Sequence, residues 1–270
     1  MQEGQVSWIT GASSGIGEAV AKELALKNHR LILSARRLEE LERVKSECVE
    51  AGAPKGMIYL LPMDVTDYDS MEENICKAHK AFGQIDLLYN NAGISQRSLA
   101  SETDMSTYRT LFEVDVFGQI ALTKYVVEIM KKQGNGHIAV TSSVAGKIGV
   151  PYRTGYCAAK HAVMGFFDAL RAELSNDNIQ VTTVVPGFIS TNIAKYAVKG
   201  DGSEFGAIDG DIAGGMDVRK CAKVIVKGFA RGKKEIPVGK GMEMHALWIK
   251  RLWPSLIMKI VTRKKLKKAK

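Results

Sequence analysis

The chain has 270 residues, enough to bury a large core while staying within the reach of one α/β domain. Hydrophobic residues at 46% and charged residues at 25% exclude a disordered or fibrous chain. The net charge of +9 is local: Arg263, Lys264, Lys265, Lys267, Lys268 and Lys270 put six cations in the last eight residues, so the body offers no basic face for nucleic acid.

Four scattered cysteines (Cys48, Cys76, Cys157, Cys221) show no metal-ligand spacing and read as reduced thiols, which sets a cytoplasmic expectation and no metal. No leader is expected, since a strand begins at Val6. No run reaches the ~18 apolar residues of a membrane span.

The first predicted strand is Val6–Thr10. It runs into Thr10-Gly11-Ala12-Ser13-Ser14-Gly15-Ile16-Gly17 and then a helix. Glycines there let backbone approach a pyrophosphate, while the helix start supplies free N–H groups and a positive dipole end. The second strand, Arg30–Ala35, ends in Ser34-Ala35-Arg36-Arg37 and lacks the carboxylate that would accept from a ribose 2′-hydroxyl. Arg36 instead presents a planar fork suited to a 2′-phosphate, with Arg37 the weaker candidate, so NADP(H) is the expected cofactor. The alternative is that both arginines are solvated residues at a helix start.

A helical stripe of Leu38, Leu41, Val44 and Cys48 follows, then strands at Met57–Met63, Ile85–Tyr89 and His137–Thr141. Ser142 and Ser143 end the last of these, where a hydroxyl can bond a substrate oxygen. Tyr156 and Lys160 lie four apart and share a face of the next helix, whose stripe continues through Val163, Phe166, Phe167, Leu170 and Leu174. Free tyrosine ionises near ~10, so use as a base at neutral pH needs roughly 4 kcal/mol of preferential phenolate stabilisation. An ammonium one turn away and an oxidised nicotinamide can contribute it.

Gln180–Val185 is the sixth strand and Glu235–Val238 a short seventh. Strand–helix alternation predicts an α/β doubly wound parallel sheet of six to seven strands with helices on both faces. Between those strands, residues 187–216 are too glycine-rich for a stable helix and read as a lid over the substrate, or else as a tolerated insertion. Residues 1–244 form one domain in this reading, and 245–270 an apolar, then basic, tail.

Six pieces occur in a telling order: Thr10-Gly11-x3-Gly15-x-Gly17, Asp64-Val65, Asn90-Asn91-Ala92-Gly93, Ser143, Tyr156-x3-Lys160 and Pro186-Gly187. Over residues 5 to 240 the sequence resembles the short-chain dehydrogenase/reductase family, whose fold is Rossmann-type. The nearest likeness is to the member-7 type, through Leu33-Ser34-Ala35-Arg36-Arg37, Gly93-Ile94-Ser95-Gln96-Arg97-Ser98-Leu99 and Gly155-Tyr156-Cys157-Ala158.

The resemblance implies an NADP(H)-dependent oxidoreductase interconverting a carbonyl and an alcohol, as a homodimer or homotetramer. It assigns Ser143 to the carbonyl oxygen, Tyr156 to its proton, and Lys160 to the tyrosine and the nicotinamide ribose. The Ser143–Tyr156 interval picks Ser143 over Ser142. Asp64 and Val65 would border the adenine, Asn91, Ala92 and Gly93 would line the cofactor, and Ile189 and Thr191, after Pro186 and Gly187, would meet the carboxamide. In the same family Asp115 stands where asparagine is usual. Aspartate loses the amide donors of the proton relay. That leaves a second reading, an NADP-binding sensor or scaffold with impaired catalysis, and a third, epimerisation or dehydration on the same fold.

Val144, Ala145, Ile148, Val150, Phe188 and Ile193, with Tyr152, are positioned to flank the reaction; they suit a hydrophobic ketone or alcohol, or are ordinary core. The tail mixes Trp248 and Trp253 with aliphatic residues and cations, as a peripheral membrane contact requires, each near-surface cation being worth about 1 kcal/mol against anionic lipid. Packing on the body or on a second subunit is the equal alternative.

Overall fold

The computed structural model describes residues 3–207 and 210–263. Seven parallel strands form one sheet in the order β3-β2-β1-β4-β5-β6-β7. They are β1 (Val6–Thr10), β2 (Arg30–Ser34), β3 (Ile58–Leu60), β4 (Leu87–Asn90), β5 (Gly136–Thr141), β6 (Ile179–Pro186) and β7 (Glu235–Val238). The expected doubly wound α/β sheet is therefore present, with the seventh strand. The long run read at Met57–Met63 pairs as a strand only at its start, because β3 is an edge with β2 as its sole neighbour. Its backbone still follows β2 through bonds from Leu61 N to Leu33 O and Met63 N to Ala35 O.

Side-chain alternation explains the two layers. On one face Ile9, Leu31, Leu33 and Tyr89 pack against α1 (Gly15–Ala25), α2 (Leu38–Glu50) and, just before β7 in sequence order, α8 (Val218–Ala230). On the other, Trp8, Ile32, Leu88, Ile138 and Val140 meet α3 (Met71–Phe82), α5 (Gly118–Gln133) and α6 (Thr154–Glu173). Neighbouring residues of one strand point to opposite faces, so a strand covered on both sides is apolar throughout. Of the predicted stripes, Leu41, Val44 and Cys48 in α2 and Val163, Phe167 and Leu174 in and just after α6 are buried, while Phe166 and Leu170 are half-buried. Leu38, by contrast, is exposed at the start of α2.

The remaining elements shape one end of the sheet. A short helix α4 (Met105–Phe112) enters α5 through a wider, π-helical turn at Glu113–Phe117. Among its described residues the glycine-rich segment carries only the four-residue α7 (Gly210–Ala213) and a single 3₁₀ turn at Asn192–Ala194, as its composition predicts. After β7 come α9 (Met242–Leu252) and α10 (Pro254–Arg263), so residue 245 falls inside a helix. Residues 264–270, most of the basic run, and positions 208 and 209 of the glycine-rich segment lie outside the described residues.

Candidate active site

Strand order reverses between β1 and β4, and the crevice outside their carboxyl ends is where doubly wound sheets bind ligands. The loops that line it are stitched together. Thr10 Oγ1 accepts from the backbone N–H groups of Asn91 and Ala92, both at 3.1 Å. Asn91 Nδ2 returns bonds to the carbonyls of Thr10 (3.2 Å) and Gly11 (3.3 Å). Gly11 has φ +63, and a Cβ on Gly17 would collide with the Gly11 carbonyl and the Asn91 amide. These contacts close the glycine loop against the end of β4. Ser14 caps α1 with its backbone extended and makes no side-chain capping bond, leaving first-turn N–H groups facing the crevice mouth. Gly15 follows Ser14 and faces Thr191, and Ile16 packs on the core beneath the loop.

Arg36 and Arg37 are both exposed at the end of β2. They differ in engagement: Arg37 lies 6.0 Å from the Tyr196 ring, while Arg36 makes no ion pair among the described residues. Sequence reasoning missed Arg43. Its guanidinium donates to the Ser13 carbonyl (3.1 Å) and pairs with Glu18, which also binds Lys22. That neutralises the one acid in the first turn of α1, where a carboxylate would repel a phosphate. Asp64 Oδ1 accepts from Thr66 N (2.9 Å) and Thr66 Oγ1 (2.8 Å), and Val65 is buried against Gly118.

Tyr156 and Lys160 occupy successive turns of α6 and are 8% and 3% exposed. Lys160 Nζ sits 5.6 Å from the Tyr156 ring centre and donates to the Thr141 carbonyl (3.1 Å). The two adjacent serines have different partners. Ser142 is buried and spends its proton on the Lys160 carbonyl (3.1 Å). Among the described residues Ser143 Oγ only accepts, from Ala145 N at 3.1 Å, so its proton is not committed there. Gln96, fully buried, holds the start of α6: its Oε1 accepts from Gly155 N (2.7 Å) and Tyr156 N (3.3 Å).

Asp115 is fully buried in the π-helical turn. Its Oδ1 accepts from Ile94 N at 2.7 Å, and Oδ2 lies 3.5 Å from Lys160 Nζ. Burial pushes its carboxyl above the usual range, partly offset by Lys160 and the Ile94 amide. Gly93 admits this arrangement, since a Cβ there would stand 2.9 Å from Asp115 Oδ1 and 3.3 Å from Lys160 Nζ.

A family model described as short chain dehydrogenase matches residues 5–202. The chain is a member of the short-chain dehydrogenase/reductase family. It is 40% identical over 250 residues to the human dehydrogenase/reductase SDR family member 7, covering 92% of this chain and 73% of that one. It is 38% identical to the family protein 7-like of Anopheles gambiae, over 97% of this chain and 83% of the relative. Among solved structures, a short chain dehydrogenase/reductase from Burkholderia phymatum in complex with NAD superposes with a TM-score of 0.81 at 26% identity, covering 96% and 95% of the two chains. An alcohol dehydrogenase from Thermococcus sibiricus, complexed with 5-hydroxy-NADP, gives 0.74 at 26% identity over 88% and 97%.

This short-chain dehydrogenase/reductase closes its crevice with the segment after β6. Pro186 ends that strand and Gly187 N donates to Val238 O (2.8 Å). Ile189 is buried and bridges to Met216, while Thr191 leans over the glycine loop. The expected lid is pinned along part of its length. Val198 exchanges bonds with Ser95 and Arg97, Gly200 O accepts from Asp104 N and Thr107 Oγ1 (both 2.9 Å), and Gly200 abuts Glu102. A cavity of about 840 Å³ lies between this segment and the outer side of α1, bounded by Gly15, Thr191 and Ile212, and Tyr156 does not line it.

The apolar residues around the reactive groups divide. Ala145 and Val150 pack with Tyr156 and Cys157. Val144 and Ile148 belong to a different cluster with Met164, Val185 and Ile257, so they are core under the C-terminal helices. Ile193 is exposed.

Proposed function

We propose that this family member is an NADP(H)-dependent oxidoreductase interconverting a carbonyl and an alcohol on an apolar substrate, with Tyr156 as the acid/base. The buried Tyr156–Lys160 pair on successive turns carries the reading, together with Ser143, which accepts from the N–H of the Ala145 that packs on Tyr156. The cofactor fits on this chain's own features: the Gly11–Gly17 cradle would take the pyrophosphate, and Arg36 the 2′-phosphate. Asp64 and Val65 would border the adenine, and Asn91 to Gly93, Ile189 and Thr191 the rest. When bound, the nicotinamide supplies or accepts the hydride.

The protein's part is proton management. Ser143 Oγ donates to the carbonyl oxygen as negative charge builds there. Tyr156 delivers its phenolic proton to that oxygen, or removes it in the reverse direction. Lys160 favours the phenolate through its charge, held in place by the Thr141 carbonyl and Asp115. Ala145 and Val150 keep one side of the tyrosine apolar, which suits a hydrophobic ketone or alcohol.

Tyr156→Phe keeps the ring and removes the proton. Turnover, read as change in nicotinamide absorbance over a panel of ketones and alcohols, should fall roughly a hundredfold or more while NADPH binding persists. Substantial residual turnover would place the acid/base elsewhere. The Asp115–Lys160 contact favours a second reading, in which the carboxylate engages the ammonium and the protein binds NADP(H) as a sensor. Turnover of any member of the panel by the unmodified protein excludes that reading.

A further inference from the structure

The last two described helices use only one of their faces. Met244, Ala246, Leu247, Ile249, Ile257 and Val261 pack against Val144, Ile148, Met164 and Val185, so α9 and α10 are part of the body. The opposite face is apolar and bare. Trp248 is 66% exposed, Trp253 60%, Leu252 58%, Leu256 46% and Ile260 45%. Seven of the sixteen exposed large apolar side chains among the described residues fall between 242 and 260, the others being scattered over the chain. Trp248 and Leu252 share one face of α9 by spacing, as do Leu256 and Ile260 on α10. Trp253 and Pro254 make the break between the helices.

Charge decides the occupant. Residues 244–270 contain nine Lys and Arg and no Asp or Glu. Lys250, Arg251 and Lys259 sit among the bare apolar residues and make no ion pair among the described residues. A second copy would bring the same cations against themselves across a two-fold axis. A surface of anionic headgroups over acyl chains complements both features, with indole rings at the boundary. None of the described helices is long and apolar enough to span a bilayer, so the contact is with one leaflet.

We propose that α9 and α10 dock the protein on the surface of an anionic bilayer, through Trp248, Leu252, Trp253, Leu256 and Ile260 with Lys250, Arg251 and Lys259. The inner side of the same helices rests on Val144, next to Ser143, and Glu243 of α9 accepts from Phe188 N (3.3 Å). The docked face and the candidate reaction centre are thus separated by about one helix diameter, ~10 Å.

The experiment is cosedimentation of the full chain with vesicles of phosphatidylcholine, alone or mixed with phosphatidylserine. Binding should require phosphatidylserine and weaken with salt, because exposed charges are screened over about 10 Å at 0.1 M. Trp248→Ala with Trp253→Ala should weaken it about tenfold or more. Replacing Lys250, Arg251 and Lys259 by Gln should weaken it by about two orders of magnitude. The altered side chains are exposed or half-buried, so circular dichroism and the thermal midpoint should match the parent. The third tryptophan, Trp8, is fully buried, so a blue shift in emission on binding reports the other two. A full chain that ignores phosphatidylserine vesicles, or variants that bind like the parent, would overturn the proposal. So would a tryptophan variant that loses self-association in sedimentation equilibrium with lipid binding unchanged, which assigns the face to a second copy.

Discussion

Arg36 and Arg37 are adjacent in sequence and separate in role. The second leans on Tyr196, whereas the first stands at the end of β2 without an ion pair among the described residues. If Arg36 takes the 2′-phosphate, Arg36→Ala removes a charged hydrogen-bonding partner and should cost NADPH roughly 10- to 100-fold in affinity. Titrations should show NADH binding little changed. Equal losses for both cofactors would remove Arg36 from the site. Single-residue chemistry is legible where it depends on spacing. The family's interval to Tyr156 points to Ser143, and of the two adjacent hydroxyls it is Ser142 that is bonded to the Lys160 carbonyl. Gln96 and Arg43 were not legible. Each acts by bonding backbone a long way off in sequence, Gly155 and Ser13 respectively, and such bonds leave no periodicity.

At the scale of elements, strands and buried helix stripes follow from alternation, but the turn holding Asp115 does not. Glu113–Phe117 widens an otherwise continuous helix by one residue per turn, a phase change invisible in composition. That turn aims Asp115 at Lys160. Asp115→Asn should keep the Ile94 bond through its amide oxygen while removing a negative charge that opposes the phenolate. Alcohol oxidation by the variant should be retained or faster. Its pH profile should move toward acid. A folded, cofactor-binding variant without activity would show that the carboxylate itself is required. The glycine-rich segment was legible as irregular but not as partly pinned, because its anchors lie in residues 95–107.

The whole molecule has an acid weakness built on buried imidazole. His137 is enclosed by the sheet, with Nε2 bonded to the Thr182 hydroxyl and its ring edge-on to Phe229, and burial lowers its pKa to about 4. His29 is likewise lowered to about 4, chiefly by burial. Unfolded histidine ionises near ~6.5, so between these values the unfolded chain binds more protons and stability falls as pH falls. Urea unfolding at pH 7 and pH 5 should show about 2 kcal/mol lost on account of His137. His137→Gln should flatten the dependence by that amount; an unchanged slope would mean the imidazole is charged in the fold. The sheet's central reversal also orders events on the ribosome. Thr10 waits for Asn91, 81 residues later, and at roughly 5–20 residues per second that is several seconds of synthesis. Until then the glycine loop is braced only from β2 and α2, through Ser34 and Arg43. The crevice between β1 and β4 is therefore complete only in chains made past that point.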